Sequence, residues 1–206
     1  MGVRIRIFWQ KGVTDEQIIF VQKCIEEFLR FVPAGRLVRV EVGKEIKVAR
    51  YKEHRFSRKI SINKMEDNGL YWEESNDYNS FIIFRSPLLK VIDRVKIDAE
   101  GFADLLKYAA VSFGCLKGLH QDYREMKLRW VIFHELGHLF GLISPARRAE
   151  LVKITHGSWR HCANENCVMY PYSNNFYVGN FTMPFCAVCF FELRDSLHFQ
   201  TYFSSR

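Results

Sequence analysis

The sequence lacks any long hydrophobic run. No apolar stretch in its 206 residues approaches the roughly 18 residues that a membrane-spanning helix needs. Residues 1–10 alternate apolar and charged side chains and contain no small-residue cleavage site, so we expect no secretory leader. Arg6 stands where N-myristoylation requires Ser or Thr, which argues against a lipid anchor. These absences lead us to expect a cytoplasmic protein with no membrane partner.

Internal repeats and low-complexity segments are missing as well. Hydrophobic residues make up 48% of the chain and charged residues 26%, as in an ordinary globular protein. A chain of this length usually forms one domain with a core large enough to be stable alone. We therefore expect a single domain over residues 1–206.

The formal charge of +7 raises the possibility of an anionic partner. Residues 44–59 contain seven basic and two acidic side chains, and residues 66–77 follow with five acidic ones. Adjacent blocks of opposite sign favour a solvated face over a nucleic-acid site. We expect no nucleic-acid partner.

Hydrophobic periodicity predicts alternating strands and helices up to residue 141. Residues 3–7 and 38–42 alternate in the manner of half-buried strands, and a helix begins at Thr14, where Gln17 completes a capping box. The other predictions are buried strands at 81–84 and 108–113, a loop or hairpin at 64–79, a helix capped by Asp122 or Glu125, and a short helix at 146–154.

One pentapeptide on the helix after Asp122 carries metal-binding chemistry. His134-Glu135-Leu136-Gly137-His138 places two histidines one helical turn apart, so both imidazoles can reach a single ion. Zinc bound by neutral nitrogens lowers the pKa of a water ligand to about 7, and Glu135 can then take the water proton. Taken alone, the pattern also fits a helix with ordinary polar residues.

Gly141 extends the pentapeptide to HExxHxxG, the opening of the metzincin motif. A glycine there permits the left-handed backbone that ends a helix and turns the chain. The third metzincin histidine would fall at Ser144, which is a poor zinc ligand. His156 and His161 are the next candidates.

Four of the six cysteines are crowded near the C-terminus. Cys162 and Cys167 are separated by four residues, and Cys186 and Cys189 by two. Four thiolates form a closed tetrahedral zinc site, which is typically structural. Two disulfides are the alternative, but a protein without an export signal favours metal. The other two cysteines lie in apolar segments and are expected in the core: Cys24 and Cys115.

The predicted cysteine site also bears on the third histidine. His161 adjoins Cys162, whose anchoring fixes the neighbouring backbone, whereas His156 precedes Gly157 at the exit of the predicted short helix. We expect His161 to complete the histidine site, with His156 as the alternative.

Together these segments resemble the archaemetzincins, whose pattern is HExxHxxG, a histidine beside the first of four cysteines, C-x4-C-x-M and a distal CxxC. The matching segments are HELGHLFG at 134–141, HC at 161–162, CANENCVM at 162–169 and CAVC at 186–189. Twenty residues separate Gly141 from Cys162 where the family has three. This chain therefore carries an insertion of 17 residues, 144–160, whose role the sequence leaves open.

The resemblance implies an α+β, metzincin-like zincin fold with a short mixed β-sheet, a backing helix, an active-site helix and a zinc-stapled C-terminal part. Residues 1–141 would hold the sheet and helices, and residues 142–206 the insertion, the Met-turn and the structural zinc. It further implies two zinc ions, a peptide or protein substrate and Glu135 as general base. The implied metal-site residues are His134, His138 and His161 for the catalytic zinc, Cys162, Cys167, Cys186 and Cys189 for the structural zinc, and Met169 for the Met-turn.

A different class of function fits some of the same features. The basic tract and the cysteine site also suit a zinc-stabilised, non-catalytic binding module for RNA or an acidic protein. Glu135 favours the enzyme, because a binding module has no need of a general base beside two histidines. Substrate, cleavage specificity and oligomeric state do not follow from the sequence.

Overall fold

The computed structural model describes residues 4–33, 35, 38–48, 52, 58–68, 78–92, 95–104, 108–143, 147–155, 159–171 and 183–195. Within these residues the strands and helices run as follows: β1 Arg4–Gln10, α1 Asp15–Leu29, β2 Arg39–Ile46, β3 Ile60–Ser61, α2 Ile62–Asn68, β4 Tyr78–Phe84, β5 Leu88–Ile92, β6 Val95–Ala99, β7 Gly101–Asp104, β8 Tyr108–Ser112, α3 Gln121–Leu139, β9 Val152–Thr155, β10 Trp159–Cys162 and α4 Ala187–Asp195.

The largest sheet has five strands in the order β2-β1-β4-β8-β7. Its first four strands are parallel, and β7 pairs with β8 in antiparallel register, with Phe102 opposite Ala110. β7 therefore forms one edge of this sheet. The predicted α+β class with a mixed sheet is confirmed.

Side chains on the central strands alternate between two cores, as the period of a strand requires. Ile83 belongs to a core shared with α1 and α3, whereas Ile82 and Phe84 belong to a second core on the opposite face. Both faces of the sheet are covered, which explains why β4 and β8 read as continuous apolar runs. α3 packs against α1, β7 and β8, so the sheet and α1 together hold the helix that carries the HExxH motif.

The N-termini of α1 and α3 agree only in part with the caps predicted from the sequence. α1 begins with the predicted capping box, in which the amide of Gln17 donates to Thr14 Oγ1 and the amide of Thr14 donates to the Gln17 side chain. The prediction that Asp122 or Glu125 caps α3 is wrong, because His120 is the N-cap residue and Asp122 lies in the first turn.

A smaller sheet, in the order β3-β5-β6, covers the second core. The loop or hairpin predicted over 64–79 is wrong at both ends, because residues 64–68 belong to α2 and residues 78–79 to β4. Residues 69–77 lie outside the described part of the chain. Ile62 and Met65 of α2 are fully buried, and this packing favours a helix despite the polar residues between them.

The helix predicted over 146–154 is also wrong. Residues 149–151 form one 3-10 turn, after which β9 and β10 pair as an antiparallel hairpin. β-branched residues dominate β9, and they favour a strand over a helix. No helix among the described residues is long and apolar enough to cross a bilayer.

Candidate metal centres

α3 presents His134 and His138 on one face, one turn apart. Their Nε2 atoms lie 3.2 Å apart and their ring centroids 4.8 Å apart. Two nitrogens bound to one tetrahedral zinc at about 2.0–2.1 Å are separated by about 3.3 Å. The observed separation of the two Nε2 atoms therefore fits two ligands of a single zinc ion.

α3 ends in a Schellman motif at Gly141. The amide of Leu142 donates to the carbonyl of Gly137 at 2.9 Å, and the amide of Gly141 donates to that of His138 at 3.0 Å. Gly141 has a φ of 84°, which only glycine adopts without strain. The glycine of HExxHxxG thus turns the chain directly after the second histidine, as its position in the sequence predicts.

β10 brings a third histidine to the pair. The ring centroid of His161 lies 5.3 Å from those of His134 and His138, and one ligand atom from each of the three side chains lies within 4.8 Å of the other two. The other two positions considered from the sequence, Ser144 and His156, lie outside the described residues.

Hydrogen bonds at Nδ1 orient two of the three imidazoles. His134 Nδ1 lies 2.7 Å from the carbonyl oxygen of Val168, to which it can donate, and His161 Nδ1 lies 3.1 Å from Thr155 Oγ1. An acceptor at Nδ1, such as the carbonyl of Val168, places the proton there and leaves Nε2 free to bind a metal. The hydroxyl of Thr155 can accept from Nδ1 of His161 or donate to it. Val168 precedes Met169, so the segment that carries this methionine helps to orient the first histidine.

The surroundings favour neutral histidines. Burial lowers the pKa of His134 below its ordinary value. Burial, followed by the neighbouring His134 and His161, lowers the pKa of His138 further. Neutral imidazole is the form that binds zinc, so the electrostatics of the site suit a metal ligand set.

Glu135 is buried on the same helix, with 7% of its surface exposed. Burial, and next the carboxylate of Glu100, raise its pKa well above the ordinary value. The backbone of β7 runs against it, since a Cβ added to Gly101 would lie 2.7 Å from Glu135 Cγ. Glu135 is therefore a carboxylate with a raised pKa whose side chain lies where α3 packs against the edge strand β7.

Met169 lies directly against α3 and is fully buried. A Cβ added to Gly137 would lie 2.3 Å from its Sδ and 3.0 Å from its Cε. The glycine inside the HELGH pentapeptide is thus the position at which the methionine packs, one residue before the second histidine.

The four C-terminal cysteines form a second cluster, with one sulfur from each within 4.8 Å of the others. The sulfurs of Cys162 and Cys186 lie 3.6 Å apart. Sulfurs bound to tetrahedral zinc at about 2.3 Å are separated by about 3.8 Å, so the cluster fits a zinc site with four thiolate ligands. None of the six cysteines, all described, forms a disulfide.

N–H groups surround the sulfurs, as thiolates require. The amide of Asn164 donates to Cys162 Sγ and the amide of Cys186 donates to Cys167 Sγ, both at 3.4 Å. Hydrogen bonds of this kind stabilise negative charge on sulfur.

Arg147, on the segment after α3, supplies a further donor. Its Nη2 donates to Cys189 Sγ at 3.3 Å and to the carboxylate of Glu192 on α4. The same carboxylate accepts the amide of Ile143 at 3.1 Å. Arg147 therefore brings a positive charge to the sulfur cluster and connects α4 to the turn that follows α3.

The two cysteines outside the cluster differ from each other. Cys24 is buried in the main core, and burial raises its pKa to about 12. Cys115 is only half-buried, and its Sγ donates to the carbonyl of Ala99 at 2.9 Å. The prediction of an apolar core position is wrong for Cys115, which lies in a 3-10 turn.

Val168, Thr155 and Arg147 contact the two clusters and were not singled out in the sequence. Val168 acts through its carbonyl, which any residue supplies. Arg147 lies within the predicted helix 146–154 and Thr155 directly after it, so their contacts could not be anticipated. The available signals for a strand were the alternation and the β-branched side chains in residues 152–155.

Comparison with known proteins supports the fold. No sequence-family model matches this chain, and no curated protein is significantly similar in sequence. Among the solved structures that match with high probability, three cover at least 90% of both chains. The archaemetzincin from Methanopyrus kandleri is 17% identical, with a TM-score of 0.65 over 97% of this chain and 96% of that one. The archaemetzincin from Archaeoglobus fulgidus is 15% identical, with a TM-score of 0.58 over 90% of this chain and 97% of that one.

The third match is a zinc-dependent peptidase from Methanocorpusculum labreanum, 16% identical, with a TM-score of 0.57 over 92% of this chain and 100% of that one. At these identities the likeness establishes the fold. The chain has the archaemetzincin fold, and the resemblance expected from its motifs is confirmed at that level.

Proposed function

We propose that this chain is a zinc-dependent peptidase whose catalytic zinc is held by His134, His138 and His161. The observation that carries the proposal is the convergence of three imidazoles, from α3 and β10, beside the buried carboxylate of Glu135. The similar structures support the same activity, since one is described as a zinc-dependent peptidase and two as archaemetzincins.

The ligand set determines what chemistry is available. Zinc bound by three neutral nitrogens supplies Lewis acidity, which polarises a peptide carbonyl and lowers the pKa of a water molecule to about 7. The three histidines fix the position of that chemistry, and the hydrogen bonds at Nδ1 of His134 and His161 hold two of the rings in orientation.

Glu135 is assigned the proton transfers. Its burial raises its pKa, so the carboxylate has a strong tendency to accept a proton from an attacking water and can then deliver it to the leaving amine. Because it directly follows His134 on α3, it lies next to the ligand set without belonging to it.

An extended peptide fits the edge of the sheet beside Glu135. β7 is the edge strand of the five-stranded sheet, and its first residue, Gly101, contacts Glu135. An edge strand can pair with an extended chain through backbone hydrogen bonds. We therefore assign the substrate to peptides or proteins bound in extended form along β7.

A second zinc, held by Cys162, Cys167, Cys186 and Cys189, has a structural role in this proposal. Four thiolates leave no coordination position for water. Met169 is assigned as the Met-turn residue, and it packs beneath the histidine site against Gly137.

The competing binding-module function has no specific observation in its favour among the described residues. Much of the basic tract 44–59 lies outside them. Within the described part, Lys59 pairs with Asp98 at 2.6 Å, which reduces the positive charge that the tract offers to an RNA or an acidic protein.

Replacing Glu135 tests the proposal. Glu135→Gln keeps nearly the same shape and leaves all seven proposed zinc ligands in place, but the amide cannot accept a proton. Hydrolysis of a fluorogenic peptide mixture should fall roughly 100-fold or more, while zinc content stays at two ions per chain. Both are measured on the same preparation.

The matched control is Glu125→Gln, the same chemical change on an exposed part of the same helix. It should leave turnover unchanged. If Glu135→Gln cleaves every peptide that the unaltered protein cleaves, at the same rate, Glu135 is not the general base and the binding-module function regains its place.

A further inference from the structure

The hairpin formed by β9 and β10 occupies the C-terminal half of the 144–160 insertion and ends at His161 and Cys162. In its antiparallel register His161 lies opposite Lys153, and Trp159 lies opposite Thr155. Thr155 is therefore the diagonal neighbour of His161 on the same face of the hairpin. The insertion thus places one hydroxyl next to the third histidine.

The contact between these side chains is close and enclosed. Thr155 Oγ1 lies 3.1 Å from His161 Nδ1, and the two residues are 7% and 6% exposed. A hydroxyl buried in this way needs a hydrogen-bond partner, and so does the ring nitrogen. When Nδ1 carries its proton, it donates to Thr155 Oγ1, and this contact fixes the rotation of the imidazole.

The rest of the hairpin is held firmly enough for this contact to have a defined geometry. The amide of Cys162 donates to the carbonyl of Met169 at 2.8 Å, and Ala163 donates to Leu151 at 3.2 Å. On the face that carries His161, the ammonium of Lys153 donates to the hydroxyl of Tyr170 and lies 4.4 Å from the centre of its ring. The hairpin is thereby attached to the Met-turn segment.

We infer that Thr155 is a positioning residue for the histidine site: its hydroxyl accepts the Nδ1 proton of His161 and so presents Nε2 as the third zinc ligand. This inference rests on the proposed function for the identity of the metal. It also assigns a role to the insertion, which supplies the orienting partner of the third ligand from within its own hairpin.

The chemistry of histidine ligands explains why one hydroxyl matters. A neutral imidazole carries its proton on one nitrogen, and a partner at Nδ1 selects the tautomer whose Nε2 is free to bind metal. Loss of such a partner typically weakens metal binding by about 10–100-fold. His134 obtains the same kind of partner from the carbonyl of Val168, which no side-chain substitution removes.

Thr155→Val provides the test, because valine keeps the β-branched shape and removes only the hydroxyl. Zinc affinity of the histidine site, measured by competition with a chromophoric chelator, should fall about 10–100-fold. Zinc at the four cysteines should be retained. Thr155→Ser restores a hydroxyl and should recover affinity to within about threefold of the unaltered protein, which a purely steric role for the methyl group would not produce.

Ile154→Ala is the matched control in the same strand. Its side chain is 62% exposed and lies on the opposite face from Thr155, so affinity should not change. A loss with Ile154→Ala equal to that with Thr155→Val would show general sensitivity of the hairpin and would overturn the inference. Unchanged affinity in Thr155→Val would overturn it as well.

A measurement on the unaltered zinc-loaded protein covers the case in which the valine variant does not fold. Long-range ¹H–¹⁵N spectra of the histidine rings should show His161 protonated at Nδ1 and coordinated through Nε2. Coordination through Nδ1 refutes the inference while leaving a peptidase intact. If the unaltered protein binds zinc at the cysteines alone, the proposed function and this inference fail together, and if zinc binds normally without peptide hydrolysis, only the proposed function fails.

Discussion

Gly137 lies where α3 packs against Met169. Replacing Gly137 with a larger residue would change the stability of the protein in two opposite ways. Alanine stabilises a helix interior over glycine by about 1 kcal/mol. A Cβ at this position, however, would lie 2.3 Å from Met169 Sδ and 3.1 Å from Leu142 Cδ1, in a region where Met169 has no exposed surface.

We expect Gly137→Ala to destabilise the protein, because overpacking of a buried site costs about 1–3 kcal/mol and exceeds the gain in helix propensity. The displaced Met169 should also disturb Val168, whose carbonyl holds His134, so zinc affinity of the histidine site should fall. Thermal unfolding and chelator competition measure the two effects.

A double-mutant cycle with Met169→Ala separates these causes. If the clash drives the effect, Gly137→Ala should cost less in the Met169→Ala background than alone. Equal cost in both backgrounds would place the cause elsewhere on the helix.

The sequence leaves two candidates for the third ligand, His161 and His156. Of the two, only His161 lies in the described part of the chain. In the proposed function His161 is the third ligand, because it lies with His134 and His138 in one cluster. His161→Ala should therefore bind one zinc fewer and lose peptidase activity. His156→Ala should keep both metals.

Elemental analysis of the two variants, prepared in parallel, decides between them. A normal zinc content in His161→Ala, together with a loss of zinc in His156→Ala, would show that His156, within the insertion, is the third ligand. The alignment of His161-Cys162 with the archaemetzincin pattern would then be incorrect.

Strands and helices whose apolar pattern reflects their burial, on one face or on both, could be predicted from the sequence. β1 was recognisable from the alternation of buried and partly exposed side chains, and the start of α1 from Thr14 and Gln17. β4 and β8 were recognisable as buried strands since both faces of the sheet are covered. In each case local pattern and tertiary packing agree.

The β9–β10 hairpin could not be predicted because its pattern is weak and its stabilising contacts are distant. Ile154 is largely exposed, so β9 shows no clear buried stripe. Its strands are stabilised by links from β10 to the Met-turn segment, such as the hydrogen bond between Cys162 and Met169. α2 was missed for a related reason, since Ile62 and Met65 are buried by strands far along the chain.

The residues of the two candidate metal centres divide in the same way into those that could be predicted from the sequence and those that could not. The histidines of α3, Glu135 and the four cysteines were recognisable as candidates because metal chemistry demands these residue types at short, regular spacing. The groups that orient them have no such spacing. Thr155 and Arg147 reach the ligands through the tertiary fold, and their residue types are common in any sequence.

Across the whole molecule, the two candidate centres are joined through consecutive residues of β10. His161 belongs to the histidine cluster and Cys162 to the sulfur cluster. Arg147 connects the sulfur cluster to the end of α3 through Glu192 and the amide of Ile143. Loss of zinc from the cysteines should therefore disturb the geometry of the histidine site, whereas loss of zinc from the histidines alone should leave the sulfur cluster intact.

This asymmetry predicts a fixed order of events on chelation. A site with a water ligand exchanges its metal faster than a closed thiolate cage, so a mild chelator should first remove one zinc and all peptidase activity while thermal unfolding changes little. A stronger chelator should then remove the second zinc and make Cys162, Cys167, Cys186 and Cys189 reactive towards iodoacetamide, as followed by mass spectrometry. Cys24 serves as the internal control: its burial and its pKa of about 12 should keep it unlabelled until the core itself unfolds. Labelling of the four cysteines in step with the first loss of activity would contradict the order, because it would mean that both metals leave together and that the sulfur cluster is no more inert than the histidine site.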